Sequence, residues 1–183
     1  GSEAGAGVLE QVQAPLAVAT ARRMPERLAA TRLTEIRRDL LAFRQQRTPP
    51  LRDEKIVTAW NGLAIHCLAH AGSSLGRPEY VEAAEKAASW ILTRLRDNQG
   101  RLLHSSFRDH PHGTPYLDDY AFFVHGLLAL HRATADSKWL DAARQLTNEQ
   151  MQRFWDANGK GCFFAPVEHE IWLTRSKHAF DGS

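Results

Sequence analysis

Apolar residues recur at helical spacing along most of this chain. Between about residues 8 and 46 they return every three to five positions, which predicts a helical stretch with a break near Met24 and Pro25. The run Thr48-Pro49-Pro50 ends that stretch, because proline lacks a backbone N–H and restricts the residue before it. Pairs of helices are predicted to follow.

The helices after this point are of two kinds. Apolar residues cover most of the circumference of the helices predicted over 56–71 and 118–131, so both are expected to be buried on nearly every side. Each is followed by a helix with one apolar stripe and an opposite polar face, over 79–96 and in the stretch 139–154. This alternation indicates an inner and an outer layer of helices.

The two helix pairs are copies of one unit. His66 and His125 occupy the same place in the two copies, 59 positions apart, and several other pairs share that separation. A constant separation across a whole unit defines an internal repeat, here over 56–107 and 115–166. The other matched pairs are Tyr80 with Trp139, Ala83 with Ala142, Ala84 with Ala143, Asp97 with Asp156, and Gly100 with Gly159.

The repeat predicts the fold class. A unit of inner helix, turn, outer helix, glycine turn and short strand is too long for a tetratricopeptide repeat of about 34 residues. We predict an all-α fold of helical hairpins from an (α/α)6 toroid with short β excursions, and a straight solenoid of helix pairs is the alternative. A closed toroid needs about twelve helices of ~11–18 residues, so this chain is expected to hold an incomplete one.

Composition and charge narrow the class further. Residues 1–7 are expected to be a disordered tag or linker, and 8–183 a single helical domain. A hydrophobic share of 43%, a charged share of 24% and a net charge of +2 are typical of a globular protein. The basic residues over 22–47 alternate with apolar ones, which favours a solvated helix face over a nucleic-acid surface.

No membrane, disulfide or cofactor site is expected from the sequence. No apolar run reaches the roughly 18 residues of a membrane span, and no signal peptide is visible, so a cytoplasmic location is expected. Cys67 and Cys162 lie far apart and match no metal-binding spacing, and Cys67 falls in a buried helical pattern, so both are expected to be reduced thiols in the core.

The strongest candidate catalytic residues lie at the N-terminus of the second inner helix. Asp118 and Asp119 are adjacent there, between Tyr116 and Tyr120, and are our candidate catalytic residues, with the tyrosines as substrate contacts. Neighbouring helical residues point about 100° apart, so at most one aspartate can belong to an acid/base pair. The alternative is structural, because acidic residues also cap the free N–H groups of a helix N-terminus.

Two further entrances supply candidate substrate-binding residues. Lys55, Trp60 and Asn61 open the first inner helix, where an indole can stack on a sugar and an amide or amine can bind hydroxyl groups. Core packing and helix capping are the alternatives. Close to the end of the chain, Arg175, Lys177 and Asp181 mark another predicted entrance, where Arg175 could clamp an anionic group or form salt bridges.

The histidines are weaker candidates. His104, His110 and His112 precede the aspartate pair at irregular spacing, which favours solvated loop residues over a metal site. The matched pair His66 and His125 is interpreted as a packing feature. No third acidic residue follows Asp118 and Asp119 at the spacing of a metal–diphosphate site, and no metal is expected.

Three motifs stand out along the chain. They are Asp53-Glu54-Lys55-Ile56-Val57-Thr58-Ala59-Trp60-Asn61-Gly62-Leu63, then Tyr116-Leu117-Asp118-Asp119-Tyr120-Ala121, and last Arg175-Ser176-Lys177 with Asp181-Gly182-Ser183. Together they resemble the thioredoxin-domain-containing, spermatogenesis-associated protein family and its bacterial relatives. The resemblance covers roughly residues 27–183, and Glu54 departs from the family, which usually has a second aspartate there.

This resemblance implies a fold similar to N-acylglucosamine 2-epimerases and six-hairpin glycosidases, preceded by a thioredoxin-like domain that this chain lacks. It further implies a pocket for a sugar or other small molecule and acid/base chemistry: epimerisation, isomerisation or glycoside hydrolysis. The alternative is a non-catalytic helical binding or scaffold module. The fragment alone is expected to be inactive, and to self-associate through the open face of the incomplete toroid.

Overall fold

The computed structural model describes residues 13–159, 161–168 and 174–177, which fall into two compact units, Gly1–Arg52 and Asp53–Ser183. The first unit holds helix α1 (Pro15–Ala21) and helix α2 (Glu26–Gln45), separated as predicted at Pro25, which caps α2. The predicted linker over 1–7 lies outside the described residues. That residues 8–183 form one domain stays a prediction.

Four helices lie in the described part of the second unit and confirm the predicted hairpins. Helix α3 packs against both α4 and α5, and α5 packs against α3 and α6, so α3 and α5 form the inner pair. The core between them includes Ile65, Phe123 and Leu127, none with exposed surface. The helices are α3 (Thr58–Leu75), α4 (Pro78–Arg94), α5 (Leu117–Thr134) and α6 (Ser137–Phe154).

The internal repeat is present in the backbone. The inner helices begin at Thr58 and Leu117, which are 59 positions apart, and each ends in a left-handed residue, Gly76 or Ala135, with the same separation. The first backbone N–H of each inner helix donates to the loop that follows its own hairpin, from Thr58 to His104 O (2.9 Å) and from Leu117 to Phe164 O (2.9 Å).

A small antiparallel sheet closes the first hairpin, in the order β1-β2-β3. Its strands are β1 (Lys55–Val57), β2 (Ser105–Phe107) and β3 (His110–His112). The sequence pattern placed Ile56 and Val57 in a helix, which is wrong, because they pair with Ser106 and Ser105 of β2. The strand predicted over 101–107 is shorter than expected, since only Leu102 forms an isolated bridge before β2.

Two glycines let the inner helices touch through their backbones. A Cβ atom on Gly62 would lie 2.5 Å from the carbonyl carbon of Phe122. A Cβ atom on Gly126 would lie 2.7 Å from the carbonyl oxygen of Gly62. The closest approach of α3 and α5 therefore requires the absence of side chains at both positions.

Helix α3 is less enclosed than its sequence pattern predicts. Trp60 is 64% exposed and Leu63 is 41% exposed, and Cys67 is also exposed. These residues lie on the side of α3 that no described helix of the Asp53–Ser183 unit covers. An uncovered apolar stripe is the kind of surface through which self-association was expected, and self-association stays a prediction.

We expect Gly62→Ala to destabilise the chain by about 1–3 kcal/mol, because the added methyl group must push α3 and α5 apart. In an uncrowded helix the same change would instead stabilise by about 0.5–1 kcal/mol. Urea unfolding followed by circular dichroism measures the difference. Ser73→Ala, at an exposed position on the same helix, is the control, and a Gly62→Ala variant as stable as the control would contradict the close approach.

Candidate functional site

The carboxylate of Asp119 bridges the N-termini of the two inner helices through hydrogen bonds. Its Oδ1 accepts from the backbone N–H of Ala59 in α3 (3.0 Å), and its Oδ2 accepts from the backbone N–H of Tyr116 before α5 (2.9 Å). Both N–H groups belong to helix starts, where the backbone donors have no partner within the helix. One side chain therefore caps two helices at once.

His104 completes this junction. Its Nδ1 lies 2.8 Å from Asp119 Oδ2, its carbonyl oxygen accepts from the N–H of Thr58, and its own N–H donates to Gly113 O at 3.1 Å. Gly113 has a φ of +87° and would place a Cβ 3.2 Å from that of His104, so the turn needs glycine. The loop between α4 and α5 is thereby fixed to the start of α3.

The two partners influence each other's protonation. The hydrogen bond that His104 donates to Asp119 raises the pKa of His104, against the smaller opposing effect of burial. Burial raises the pKa of Asp119, whereas the bond to His104 opposes that rise. Since Asp119 has no exposed surface and both of its oxygens accept from the protein, the geometry gives it a structural role. Catalysis by Asp119 stays a prediction.

Asp118 has a different environment. It is half-buried, and its Oδ1 accepts from the backbone N–H of Asp119 at 3.0 Å. Residues at positions i, i+4 and i+7 share one face of a helix, so Asp118 lies on the face of α5 that also carries Phe122 and His125. The two adjacent aspartates therefore differ in exposure. The side chain of Asp119 is fully buried, whereas that of Asp118 is partly accessible to solvent.

The two tyrosines beside the aspartates contact protein groups. Tyr116 stacks on Phe164 with 5.0 Å between ring centroids, and its ring meets the edge of His104. Tyr120 is fully buried between α5 and α6, where its hydroxyl accepts from Arg153 Nη1 at 2.6 Å. Burial raises the pKa of Tyr120 to about 12. Contact of either tyrosine with a substrate stays a prediction.

Two of the three candidates at the start of α3 contact residues close to them in the sequence. Lys55 is exposed in β1 and lies 3.7 Å from Asp53, while Asn61 donates to Val57 O at 2.8 Å within its own helix turn. Trp60 lies on the exposed stripe of α3. Asn61 thus donates to a carbonyl of its own helix turn, and the N-cap residue of α3, Val57, makes no capping hydrogen bond through its side chain, so the capping role that was the alternative for Asn61 is not seen. Substrate binding by all three residues stays a prediction.

The late candidates anchor the segment after α6. Arg175 donates to Ala165 O (2.7 Å) and to Arg153 O (3.0 Å), and its guanidinium lies 4.2 Å from the Phe163 ring centroid. Lys177 forms an ion pair of 2.7 Å with Asp156. Asp181 lies outside the described residues. Arg175 therefore binds backbone carbonyls, and a role for it or Lys177 in substrate binding stays a prediction.

The repeat-matched histidines meet at the contact between the inner helices. The rings of His66 and His125 stack with 3.9 Å between centroids, and His70 lies one turn further along α3, with its ring centroid 6.2 Å from that of His66. Burial lowers the pKa of His66, and the charges of His125, His70 and Arg132 add to this effect. The Nδ1 of His66 is buried, with no hydrogen-bond partner among the described residues.

Two of these arrangements were missed from the sequence. His104 was interpreted as a solvated loop residue, since its partner lies 15 positions away and no periodicity links them. The contact between His66 and His125 could have been found from their common place in the repeat, because equivalent faces of adjacent parallel helices can meet.

No membrane-spanning or metal-binding feature occurs in the described part of the chain. None of its helices combines the length and the apolar character that crossing a bilayer requires. Within residues 13–159, 161–168 and 174–177, no group of three or more His, Cys, Asp or Glu side chains is arranged to hold a metal ion.

Comparison with solved structures supports the architecture. The cellobiose 2-epimerase of Spirochaeta thermophila superimposes with a TM-score of 0.58 and 22% identity, over 67% of this chain and 33% of the epimerase. Together with the inner and outer helices and the repeat, this likeness defines the class: the chain forms helical hairpins of an α/α toroid, in an incomplete set.

Sequence comparison identifies relatives of this chain. The chain is 34% identical to human spermatogenesis-associated protein 20 and 35% identical to the Rattus norvegicus protein, in each case over 138 residues. The resemblance of the motifs is thus confirmed, and the chain is a homologue of part of spermatogenesis-associated protein 20. These matches span 70% of this chain but only 18% of the relatives' length. No protein-family model matches.

We expect Asp119→Asn to destabilise the chain by about 2–4 kcal/mol, because an amide cannot accept hydrogen bonds at both of its ends and no longer carries charge beside His104. Asp118→Asn, one position earlier and half-buried, is the matched control and should change stability by less than about 1 kcal/mol. Chemical unfolding of the two variants measures both values, and equal losses would contradict the role of Asp119 as a shared cap.

We also expect His104 to make stability depend on pH. Its pKa is raised in the folded chain, so folding is favoured by proton binding below the unfolded value of about 6.5. That contribution is lost as the pH rises through the folded pKa. The stability difference between the wild type and His104→Gln should therefore shrink as the pH rises above about 6.5.

Urea unfolding at half-unit steps between about pH 5.5 and 8.5 measures this difference. His110→Gln, at an exposed strand position, controls for general effects of removing an imidazole. A wild-type minus His104→Gln difference that stays constant across the range would show that the bond to Asp119 does not shift the His104 pKa.

Proposed function

We propose that this chain forms part of a sugar-binding pocket in which histidines carry out acid/base chemistry, of the kind that epimerises or isomerises a sugar. The stacked pair His66 and His125 at the contact of α3 and α5 is the observation that carries the proposal. The toroid fold is common to a cellobiose 2-epimerase. A likeness at 22% sequence identity shows only a shared fold. That the ligand is a sugar is therefore our proposal.

The protonation of His66 suits a base. Its pKa is lowered by burial and by neighbouring cationic groups, so the ring is neutral near neutral pH. A neutral imidazole has a lone pair on one of its two ring nitrogens, and that lone pair can accept a proton. His125, exposed on the facing helix, can supply or receive the second proton.

The reaction that fits such a pair is proton transfer at the carbon next to a carbonyl group. In an open-chain sugar, one imidazole takes the proton, the electrons of the broken C–H bond form a carbon–carbon double bond, and the carbonyl oxygen becomes an enediolate. Return of a proton to the other face of the same carbon re-forms the carbonyl group and gives the epimer. Return of the proton to the neighbouring carbon, with transfer of the hydroxyl proton from O2 to O1, gives the isomer. Asp118, on the same face of α5 as His125, would accept hydrogen bonds from sugar hydroxyls.

Glycoside hydrolysis receives less support. It requires two carboxyl groups about 5–9.5 Å apart on either side of the bond that breaks. Asp119 is fully buried and accepts hydrogen bonds from protein groups, so it does not supply the second carboxylate beside Asp118. A non-catalytic binding module is the second candidate, favoured by the structural contacts of Tyr120 and Arg175.

Hydrogen–deuterium exchange at the sugar carbon tests the proposal directly. A full-length protein that contains this chain is incubated in D2O with D-mannose, D-glucose or cellobiose, and NMR follows the C2 proton. We expect exchange, and a loss of about 10²–10⁴-fold in its rate for His66→Asn and for His125→Asn. His110→Asn, on the exposed strand β3, should exchange at the wild-type rate.

The same sugars separate catalysis from binding. Thermal stabilisation by a sugar without any exchange would identify a binding module and contradict the acid/base role. Exchange that is unaffected by both histidine variants would place the chemistry elsewhere. The 183-residue chain alone is expected to exchange little, because the matched part of the epimerase fold is 33% of that structure.

A further inference from the structure

A second cavity lies between the small sheet and the end of α4, away from the stacked histidines. Its volume is about 220 Å³, and it is lined by Trp90, Thr93, Arg94, Ser106, Asp109 and Pro111. Pockets for drug-sized ligands are about 300–1,000 Å³, so this cavity suits one small molecule. No role in the junction of Asp119 and His104, or in the proposed acid/base chemistry, explains it.

The hydroxyl group of Ser106 is buried in this region without a partner. Ser106 is 2% exposed, and its Oγ has no hydrogen bond among the described residues. Side chains alternate along a strand, and the neighbouring Ser105 contacts His112 Nε2 at 3.2 Å, so Ser106 projects to the opposite side of the sheet. That side carries its register partner Pro111 and faces the cavity.

Two opposite charges line the cavity without pairing. The side chains of Arg94 and Asp109 make no ion pair or hydrogen bond with any described residue, although both face the same small space. Their neighbour Arg108, in the same turn as Asp109, bonds to Glu54 at 2.8 Å instead. The guanidinium of Arg94 and the carboxylate of Asp109, both on exposed residues, and the buried hydroxyl of Ser106 thus line one cavity, and each group can form hydrogen bonds.

We propose that this cavity is an accessory binding site for a single sugar ring. The indole of Trp90 offers an apolar face, Asp109 accepts from hydroxyl groups, Arg94 donates to hydroxyl or ring oxygens, and a ligand hydroxyl satisfies Ser106. The alternating polar and apolar surfaces of a pyranose match this set. The site is independent of the proposed function, because it shares no residue with the histidine pair.

Methyl α-D-glucopyranoside tests the site, because its ring cannot open and it cannot be a substrate of the proposed reaction. Two-dimensional NMR of the 183-residue chain follows the indole N–H of Trp90, assigned with Trp90→Phe. We expect a saturable shift of that signal, with a Kd of about 1–10 mM. Asp109→Asn and Arg94→Gln should each weaken binding about 10-fold or more, whereas Arg108→Gln, in the same turn, should bind like the wild type.

Ser106→Ala separates binding from folding. Removal of an unpartnered buried hydroxyl should leave the melting temperature of the free chain unchanged or raise it, while binding of the glucoside weakens. No shift of Trp90 with the glucoside would overturn the proposal, as would a shift that Asp109→Asn and Arg94→Gln leave unchanged. Binding of glycine at the same residues in place of the glucoside would overturn the sugar class and indicate a zwitterion site.

Discussion

The buried carboxylate of Asp119 is the interaction on which the arrangement of the second unit depends. It accepts from the starts of both inner helices and bonds to His104, so it fixes α3, α5 and the loop between the hairpins relative to one another. A buried charge is costly unless several donors surround it. The N–H groups of Ala59 and Tyr116 and the ring of His104 reach the carboxylate together only when the N-termini of α3 and α5 lie side by side. The need to hydrogen-bond the buried carboxylate therefore sets the register of the two hairpins.

The glycine contact has a consequence for chemistry as well as for packing. Gly62 and Gly126 allow the backbones of α3 and α5 to touch, and one turn further along the same contact the rings of His66 and His125 stack. A larger residue at either glycine would separate the helices and the two rings together. The close approach that stabilises the core therefore also creates the pair of imidazoles.

The hairpins are well predicted because their signals are local and repeated. Apolar coverage distinguished the inner from the outer helices, and the separation of 59 residues recurs at the helix starts and caps. Strand β1 was missed because a strand of three residues carries no periodicity of its own. It is held instead by pairing with β2, where Lys55 lies opposite Phe107. The bond of His104 to Asp119 was missed because it depends on how the loop between the hairpins folds.

Polar groups at the starts of the inner helices and further along them have different environments. At their starts, carboxylate, imidazole and backbone groups satisfy one another, which gives a rigid and enclosed junction. Further along, His66 keeps a buried nitrogen without a described partner, beside cationic neighbours that help to hold it neutral. An unsatisfied buried polar group costs stability. The histidine contact therefore differs from the aspartate junction, because it keeps a buried nitrogen that the described residues do not satisfy.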